Sequence, residues 1–177
     1  MRTNGTASAT RETVSTYVAF EERAAAIYLD LARRFRDNTD LSGFWLGMCM
    51  AERQHAIVLA FCECQHLLND VPPADSPNVL HLLELFRNLE GRASQPELSV
   101  DDAFMIAAEL EGSEINTIYE QLVRPVEGTT YLTRKKIETL GVNHLLVLVK
   151  AARRFGVSAS VLEKLAQLED EGNELQF

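Results

Sequence analysis

The chain has 177 residues, of which 46% are hydrophobic, and carries a formal net charge of −9. This length suits one domain with a substantial core, and the negative charge disfavours nucleic acid or an anionic membrane surface as the main partner. The low content of proline and glycine, 5 and 9 residues, favours long helices over a turn-rich β fold.

The cysteines and the apolar runs bear on the cellular compartment. Cys49, Cys62 and Cys64 are odd in number and wrongly spaced for a disulfide framework, so we expect reduced thiols. The first ten residues lack the apolar segment of a signal peptide, and no apolar run reaches the ~18 residues that span a bilayer. We therefore expect a soluble, cytoplasmic protein with no membrane partner.

The N-terminal third of the chain predicts a helical hairpin. Residues 1–10 are polar and predict a flexible tail, and a first long helix is expected over residues 11–37. The second helix is predicted over residues 41–68, followed by the proline-rich stretch 69–77, which cannot continue it. Because the connection between the two helices is short, we expect them to be antiparallel.

A long connection leads to the third long helix. It contains a short amphipathic segment at residues 79–89 and is long enough to return the chain along the molecule. The third helix is predicted from Ser99 to about residue 123, with Ser99 and Asp102 at the spacing of a capping box. We expect this helix to run parallel to the second.

The C-terminal part predicts two more helices. The fourth long helix is expected over residues 131–155 and a short final helix over 158–170, with Gly156 as the stop signal between them. The predicted fold is therefore all-α, with a four-helix bundle in residues 11–155. Residues 156–177 are predicted to form a C-terminal helix and tail.

The second helix carries an acid and an imidazole where a core residue is expected. Trp45, Met48 and Leu59 define an apolar stripe, and Glu52 and His55 lie on it. Residues three apart share one face of a helix, displaced by about one turn. Because an unpaired buried carboxylate is costly, we expect a compensating partner, and a metal ion is the simplest one.

The other long helices also carry metal-ligating residues near their middle: Glu21 in the first, Glu111 and Glu114 in the third, and His144 in the fourth. One Glu from each of two helices and Glu-x-x-His from each of the other two make a two-iron site in a four-helix bundle. Carboxylates bridge hard cations, and His adds a neutral nitrogen ligand.

On these motifs the chain resembles the ferritin-like superfamily, and most of all its rubrerythrin branch. The resemblance covers roughly residues 11–155, and its most specific parts are Ala51-Glu-Arg-Gln-His55 and Glu111-Gly-Ser-Glu114. It implies a ferritin-like four-helix bundle with a long crossover between helices two and three. It further implies that two iron ions are bound by Glu21, Glu52, His55, Glu111, Glu114 and His144, with Tyr28 and Tyr119 hydrogen-bonded to the ligating carboxylates.

The resemblance implies a function as well. Rubrerythrin-like proteins oxidise Fe(II) with peroxide or dioxygen, or reduce these oxidants, in peroxidase or ferroxidase chemistry. The chain has no Cys-x-x-Cys pair of a rubredoxin module, so we expect a separate electron-donor protein. The family association also implies a homodimer formed through exposed apolar helix faces.

One departure from the family pattern keeps a second hypothesis open. Gly141 stands where the family has a glutamate three residues before His144, and Glu138 is a further turn away. One of the two metal positions is then weakened, and Zn²⁺ or Mn²⁺ are alternatives to iron. The second hypothesis is a non-catalytic bundle with a degenerate one-metal or empty site that acts through dimerisation or partner binding.

Several residues also have a purely structural alternative. His144 could be a core histidine bonded to a carboxylate, and Glu114 could be a solvated residue at the edge of its stripe. Tyr28 and Tyr119 could be ordinary core aromatics with a bonded hydroxyl.

Overall fold

The computed structural model describes residues 4–65, 76–113 and 144–174, and all the regular structure in these ranges is α-helical. The helices are α1 (Asn4–Arg34), α2 (Thr39–Cys64), α3 (Pro77–Ala93), α4 (Val100–Glu111), α5 (His144–Phe155) and α6 (Ala159–Glu174). The all-α prediction is confirmed for these residues. None of these helices combines the length and the apolarity needed to cross a membrane.

Helix α1 begins at Asn4 rather than near residue 11, so most of the segment predicted as a flexible tail is helical. Extending an existing helix adds a hydrogen bond for each residue fixed and needs no new nucleus. Residues 4–10 contain no proline and include Ala7 and Ala9, and alanine has the highest helix propensity. A polar composition alone was therefore a poor guide to flexibility.

Helices α1 and α2 form the predicted antiparallel hairpin. The Ser42 hydroxyl donates to the Ala32 carbonyl at 2.8 Å near the connection, and Arg53 Nε lies 3.9 Å from Glu22 Oε2 further along. Residue numbers thus rise on one helix as they fall on the other. The Asn38 side chain caps α2 by accepting a hydrogen bond from the Leu41 backbone N–H, as asparagine commonly does at a helix N-cap.

Helix α3 returns the chain along α1. The Phe20 and Phe86 rings stack at 5.2 Å, and Arg23 donates to both carboxylate oxygens of Glu90 at 2.7 and 2.9 Å. Because these contacts advance together along both helices, α1 and α3 are parallel. The helix has 17 residues, so it is longer than the segment predicted at 79–89.

Helices α2 and α4 run in the same direction, which agrees with the predicted crossover. Phe44 stacks on Phe104 at 5.7 Å near the start of both helices, and Glu52 and Glu111 both approach one imidazole further along. The capping box of α4 is confirmed, since Ser99 accepts from the Asp102 backbone and donates its own N–H to the Asp102 carboxylate.

Helix α5 is antiparallel to α2. Its first residue, His144, meets Glu52, and near its end Arg154 forms an ion pair of 2.6 Å with Asp40. Gly156 then takes a φ of 68°, which glycine adopts without strain, and confirms the predicted stop. The segments predicted as helical at 66–68, 114–123 and 131–143 lie outside the described residues.

Candidate metal centre

Five of the six side chains predicted as metal ligands lie close together in the core. They are Glu21 on α1, Glu52 and His55 on α2, Glu111 on α4 and His144 on α5, and each is at most 6% exposed. Each helix offers them on its buried, otherwise apolar face. Glu114, Tyr119 and Gly141 lie outside the described residues.

Glu52 occupies the centre of this cluster. Its Oε2 lies 3.2 Å from His55 Nδ1, and its Oε1 lies 2.9 Å from His144 Nδ1. The two imidazole rings stack with their centroids 4.8 Å apart and their planes 14° from parallel. One carboxylate is therefore shared between two histidines from different helices.

Two further carboxylates complete a symmetric arrangement. Glu21 Oε2 lies 3.7 Å from His55 Nδ1, and Glu111 Oε2 lies 3.5 Å from His144 Nδ1. The cluster thus consists of two Glu/His pairs, Glu21 with His55 and Glu111 with His144, joined by Glu52. We call these pairs the α1/α2 half-site and the α4/α5 half-site.

Tyr28 orients the carboxylate of the α4/α5 half-site. Its hydroxyl donates to Glu111 Oε1 at 2.5 Å, which leaves Glu111 Oε2 facing His144. Burial and the neighbouring Glu111 carboxylate raise the pKa of Tyr28 well above its usual value, so the phenol keeps its proton and acts as a donor. The ring stacks on Trp45 at 5.9 Å. The tyrosine–carboxylate hydrogen bond implied for Tyr28 is present.

The protonation of the cluster follows from its charges. Burial alone would lower the pKa of His55 and His144, but the adjoining carboxylates outweigh burial and raise these pKa values to about 9 and about 10. Burial would raise the pKa of Glu52, but its hydrogen bonds to the two histidines lower that pKa to about 2. Two protonated imidazoles therefore supply positive charge among the carboxylates, in the place where a metal ion would supply it.

The pKa of Glu21 shifts in the opposite direction. Burial is the largest effect, and the negative charge of Glu52 adds to it, so the pKa of Glu21 rises to about 8. The protein alone thus does not supply enough positive charge to keep every carboxylate of the cluster ionised at neutral pH. A bound cation would remove this deficit.

Two buried polar atoms of the cluster bear directly on metal binding. Among the described residues, Glu21 Oε2 and His144 Nε2 have no hydrogen-bond partner, whereas buried polar groups normally have one. One ligand atom each from Glu52, His55 and His144 lie within 4.8 Å of one another. Carboxylate oxygen and imidazole nitrogen are common donors for Zn²⁺, iron and Mn²⁺, so these residues fit a divalent cation.

The sharing of Glu52 could not be deduced from the sequence. The spacing of Glu52 and His55 places them on one face, but it does not show which distant histidine uses the second carboxylate oxygen. The sequence indicated the involvement of His144 only through its place in an apolar stripe, near the middle of the helix predicted over residues 131–155. An ordinary core histidine would occupy the same kind of position.

No protein-family model, no curated protein and no solved structure matches this chain. The interpretation of the cluster as a metal centre therefore depends on its residues and their arrangement.

Proposed function

We propose that this protein is a rubrerythrin-like, ferritin-like metalloprotein that binds two iron ions in the buried cluster. Its reaction is the oxidation of Fe(II) by peroxide or dioxygen, with reduction of that oxidant. The observation that carries the proposal is the symmetric pair of half-sites joined by Glu52. A single buried ion pair would need only one acid and one base, whereas the described part of this core holds three buried acids and two buried histidines.

In this proposal each half-site would hold one cation, and Glu52 would offer one carboxylate oxygen to each half-site. His55 and Glu21 would hold the cation of the α1/α2 half-site, and His144 and Glu111 would hold that of the α4/α5 half-site. Glu114 is assigned to the same site by the resemblance. Iron bound there would supply the two electrons that reduce one peroxide to two waters, with uptake of two protons.

The protein residues then have defined tasks. The imidazoles must release their protons before they can bind a cation, so iron uptake releases protons to solvent. Tyr28 holds Glu111 in a fixed orientation through its hydroxyl, as hydrogen bonds to ligating carboxylates do in metalloproteins. The low exposure of all five residues keeps bulk water away from the reacting oxidant. A separate electron donor is needed to restore Fe(II).

The first test is iron content after anaerobic loading with Fe(II) and desalting, measured by elemental analysis. We expect about two iron ions per chain, as in two-iron carboxylate bundles, and a near-ultraviolet charge-transfer band when peroxide is added. A wild-type protein that retains no iron under these conditions contradicts the proposal.

Matched variants test whether iron binding depends on the residues of the cluster while the helical fold is preserved. Glu52→Ala and His55→Ala should abolish retained iron while the far-ultraviolet circular dichroism spectrum keeps its helical shape. His81→Ala removes an exposed imidazole of α3 that is not part of the buried cluster, and this variant should retain iron like the wild type. Equal iron loss in His81→Ala would mean that binding is not specific to the buried cluster.

A one-metal site is the second candidate. Glu52, His55 and His144 alone form a group of two imidazoles and one carboxylate, which is the donor set of several Zn²⁺ sites with one open position. Retention of about one ion per chain, with Zn²⁺ preferred over Fe(II), would favour this candidate. Gly141→Glu would then test whether the missing family glutamate accounts for the lost second ion.

A further inference from the structure

Trp45 is the only tryptophan of the chain, and its ring on α2 contacts two other helices at once. The indole stacks on Tyr28 of α1, with the ring centroids 5.9 Å apart and the planes 11° from parallel. Phe104 of α4 packs against the indole at 4.9 Å with a tilt of 55°. All three side chains are fully buried, and we call these three residues the aromatic layer.

The aromatic layer borders the metal cluster. Each of its residues is seven positions from the glutamate of the cluster on the same helix: Tyr28 from Glu21, Trp45 from Glu52 and Phe104 from Glu111. Seven residues are close to two helical turns, or ~10 Å along the axis, so the two residues of each pair share one face of their helix. Because α1 is antiparallel to α2 and α4 is parallel to it, all three rings lie on the side of the α1–α2 connection.

Tyr28 connects the aromatic layer to the cluster. Its hydroxyl donates to Glu111 Oε1 at 2.5 Å. This hydroxyl lies at the far end of the side chain, so a small swing about the Cα–Cβ bond moves it further than a hydrogen bond tolerates. The flat face of the indole blocks that swing on one side. The hydrogen bond to Glu111 thus depends on where Trp45 holds the tyrosine ring.

The indole of Trp45 occupies this position at a cost. Its Nε1 atom is buried and has no hydrogen-bond partner among the described residues, whereas a buried tryptophan N–H usually finds one. A buried donor without a partner reduces stability, and phenylalanine or leucine would fill a core without this loss. The presence of an indole indicates that its larger flat ring has a task that a smaller apolar side chain does not perform.

We propose that Trp45 is a positioning residue for the α4/α5 half-site. Its indole holds the ring of Tyr28, and Tyr28 in turn holds the Glu111 carboxylate. These two contacts together set the affinity of the half-site for its cation. The positioning of Tyr28 is a property of the metal-free chain, whereas its consequence for the cation rests on the proposed function.

Proton NMR of the metal-free chain tests the positioning of Tyr28 directly. A hydroxyl proton in a short hydrogen bond to a carboxylate, shielded from water, should resonate at low field and exchange slowly. Tyr28→Phe removes this proton and so assigns its resonance. We expect Trp45→Leu to lose the resonance through rapid exchange, because the tyrosine is no longer held, while the far-ultraviolet circular dichroism spectrum keeps its helical shape.

Two further variants make this measurement specific. Phe86→Leu removes another fully buried aromatic ring, which stacks on Phe20 at 5.2 Å and is not part of the aromatic layer. This control should keep the slow exchange of the Tyr28 proton. Trp45→Phe retains a smaller aromatic face, so its exchange rate should be intermediate, and it replaces Trp45→Leu if that variant does not fold.

A double-mutant cycle with iron tests the consequence for the half-site. Fe(II) is titrated anaerobically into the chain against a competing chelator. Trp45→Leu should lower the affinity for one of the two ions about 10-fold, as changes in groups that orient metal ligands do. In the Tyr28→Phe background the same substitution should cause no further loss, because the contact through which Trp45 acts is already absent. A merely structural role would give additive losses.

Each of three results overturns the proposal. A wild type without the slowly exchanging proton has no held hydrogen bond for Trp45 to position. Exchange that is as slow in Trp45→Leu and Trp45→Phe as in the wild type, or as fast in Phe86→Leu as in Trp45→Leu, removes the specific role of the indole. Additive losses of iron affinity show that Trp45 acts on the cluster by another route. A wild type that retains no iron contradicts the proposed function instead, and the NMR measurement then decides the positioning of Tyr28 by itself.

Discussion

Glu52 determines how the histidines of the core are arranged. Its two carboxylate oxygens lie 3.2 and 2.9 Å from His55 and His144, and these contacts hold the two rings in a stack. Two protonated imidazoles this close would repel each other strongly without a shared anion. Glu52 is therefore the residue on which both half-sites depend.

Tyr28→Phe tests the orientation of a single carboxylate. Phenylalanine keeps the ring stacked on Trp45 but removes the donor to Glu111. We expect metal affinity to fall by about 10- to 100-fold, as for other hydrogen-bond partners of metal ligands. The measurement is a metal-binding titration with a competing chelator.

Tyr17→Phe is the matched control for this substitution. Tyr17 is also a buried tyrosine of α1, and it packs against Phe20. Its substitution should leave metal affinity unchanged. Equal affinity of Tyr28→Phe and the wild type would contradict a role for the Tyr28 hydroxyl in orienting a ligand.

At the scale of the element, the connections and the ends of the helices determine where the residues of the cluster lie. The α1/α2 hairpin supplies Glu21, Glu52 and His55 because its short connection holds the two helices side by side. Helix α4 supplies Glu111 at its last residue, where Gly112 follows. Because α4 is short, the cap at Ser99 and the helix end at Gly112 both affect the position of Glu111.

Ser99→Ala removes the N-cap of α4. The Ser99 hydroxyl accepts from the Asp102 backbone at 3.1 Å, and its loss should reduce the free energy of unfolding by about 1 kcal/mol. Urea denaturation followed by circular dichroism measures this change. Ser15→Ala, at an exposed position inside α1, should be neutral or slightly stabilising because alanine favours helix, and a similar loss there would exclude the capping explanation.

Gly112→Ala tests the contact between α4 and α6. An added Cβ would lie 2.7 Å from Leu168 Cδ2 and 3.0 Å from the Ala108 carbonyl, so we expect destabilisation of about 1–3 kcal/mol through overpacking. Gly91→Ala meets no atom within 4 Å and should be neutral or stabilising by up to about 1 kcal/mol. Thermal denaturation of both variants compares them, and equal melting temperatures would show that Leu168 moves aside freely.

At the scale of the whole molecule, the cluster makes stability depend on pH. The pKa values of His55 and His144 rise from 6.5 to about 9 and about 10 on folding, so their contribution is complete below pH 6.5 and is lost as the pH rises through these values. The lowered pKa of Glu52, about 2 against 4.5, contributes above pH 4.5 and is lost as the pH falls towards 2.

Glu21 adds to the loss of stability that occurs as the pH rises. Its pKa rises from 4.5 to about 8 on folding, so the folded state is progressively disfavoured as the pH rises from 4.5 to 8. We expect the metal-free protein to be most stable near pH 5 and to lose stability at higher pH. Urea denaturation in the presence of a chelator, repeated across this range, measures the profile.

Bound metal should reverse this trend. Because protons compete with the cation for the imidazoles, metal affinity should rise with pH, and saturating metal should stabilise the protein most under mildly alkaline conditions. His81→Ala should have the same pH dependence of stability as the wild type, both without metal and with saturating metal. A metal-free protein whose stability increases steadily from pH 5 to 9 would contradict the assigned protonation of the cluster.

The sequence alone was sufficient for features that depend on neighbouring residues. The capping box at Ser99, the stop at Gly156 and the shared face of Glu52 and His55 follow from helix geometry and from the conformational freedom of glycine. Burial of Glu21 and His144 was also inferred correctly, because each interrupts an apolar stripe. The start of α1 was placed too late, since polar residues can extend a helix that is already formed.

Only the tertiary structure decided which residues meet. Tyr28 and Glu111 are 83 positions apart, and no local periodicity specifies that pair or the sharing of Glu52 between two histidines. The sequence pattern likewise did not reveal that Leu46, Met50, Ile57 and Phe61 of α2 remain exposed. Such contacts depend on how whole helices pack, and packing is determined by the combined fit of many side chains rather than by the spacing within one segment.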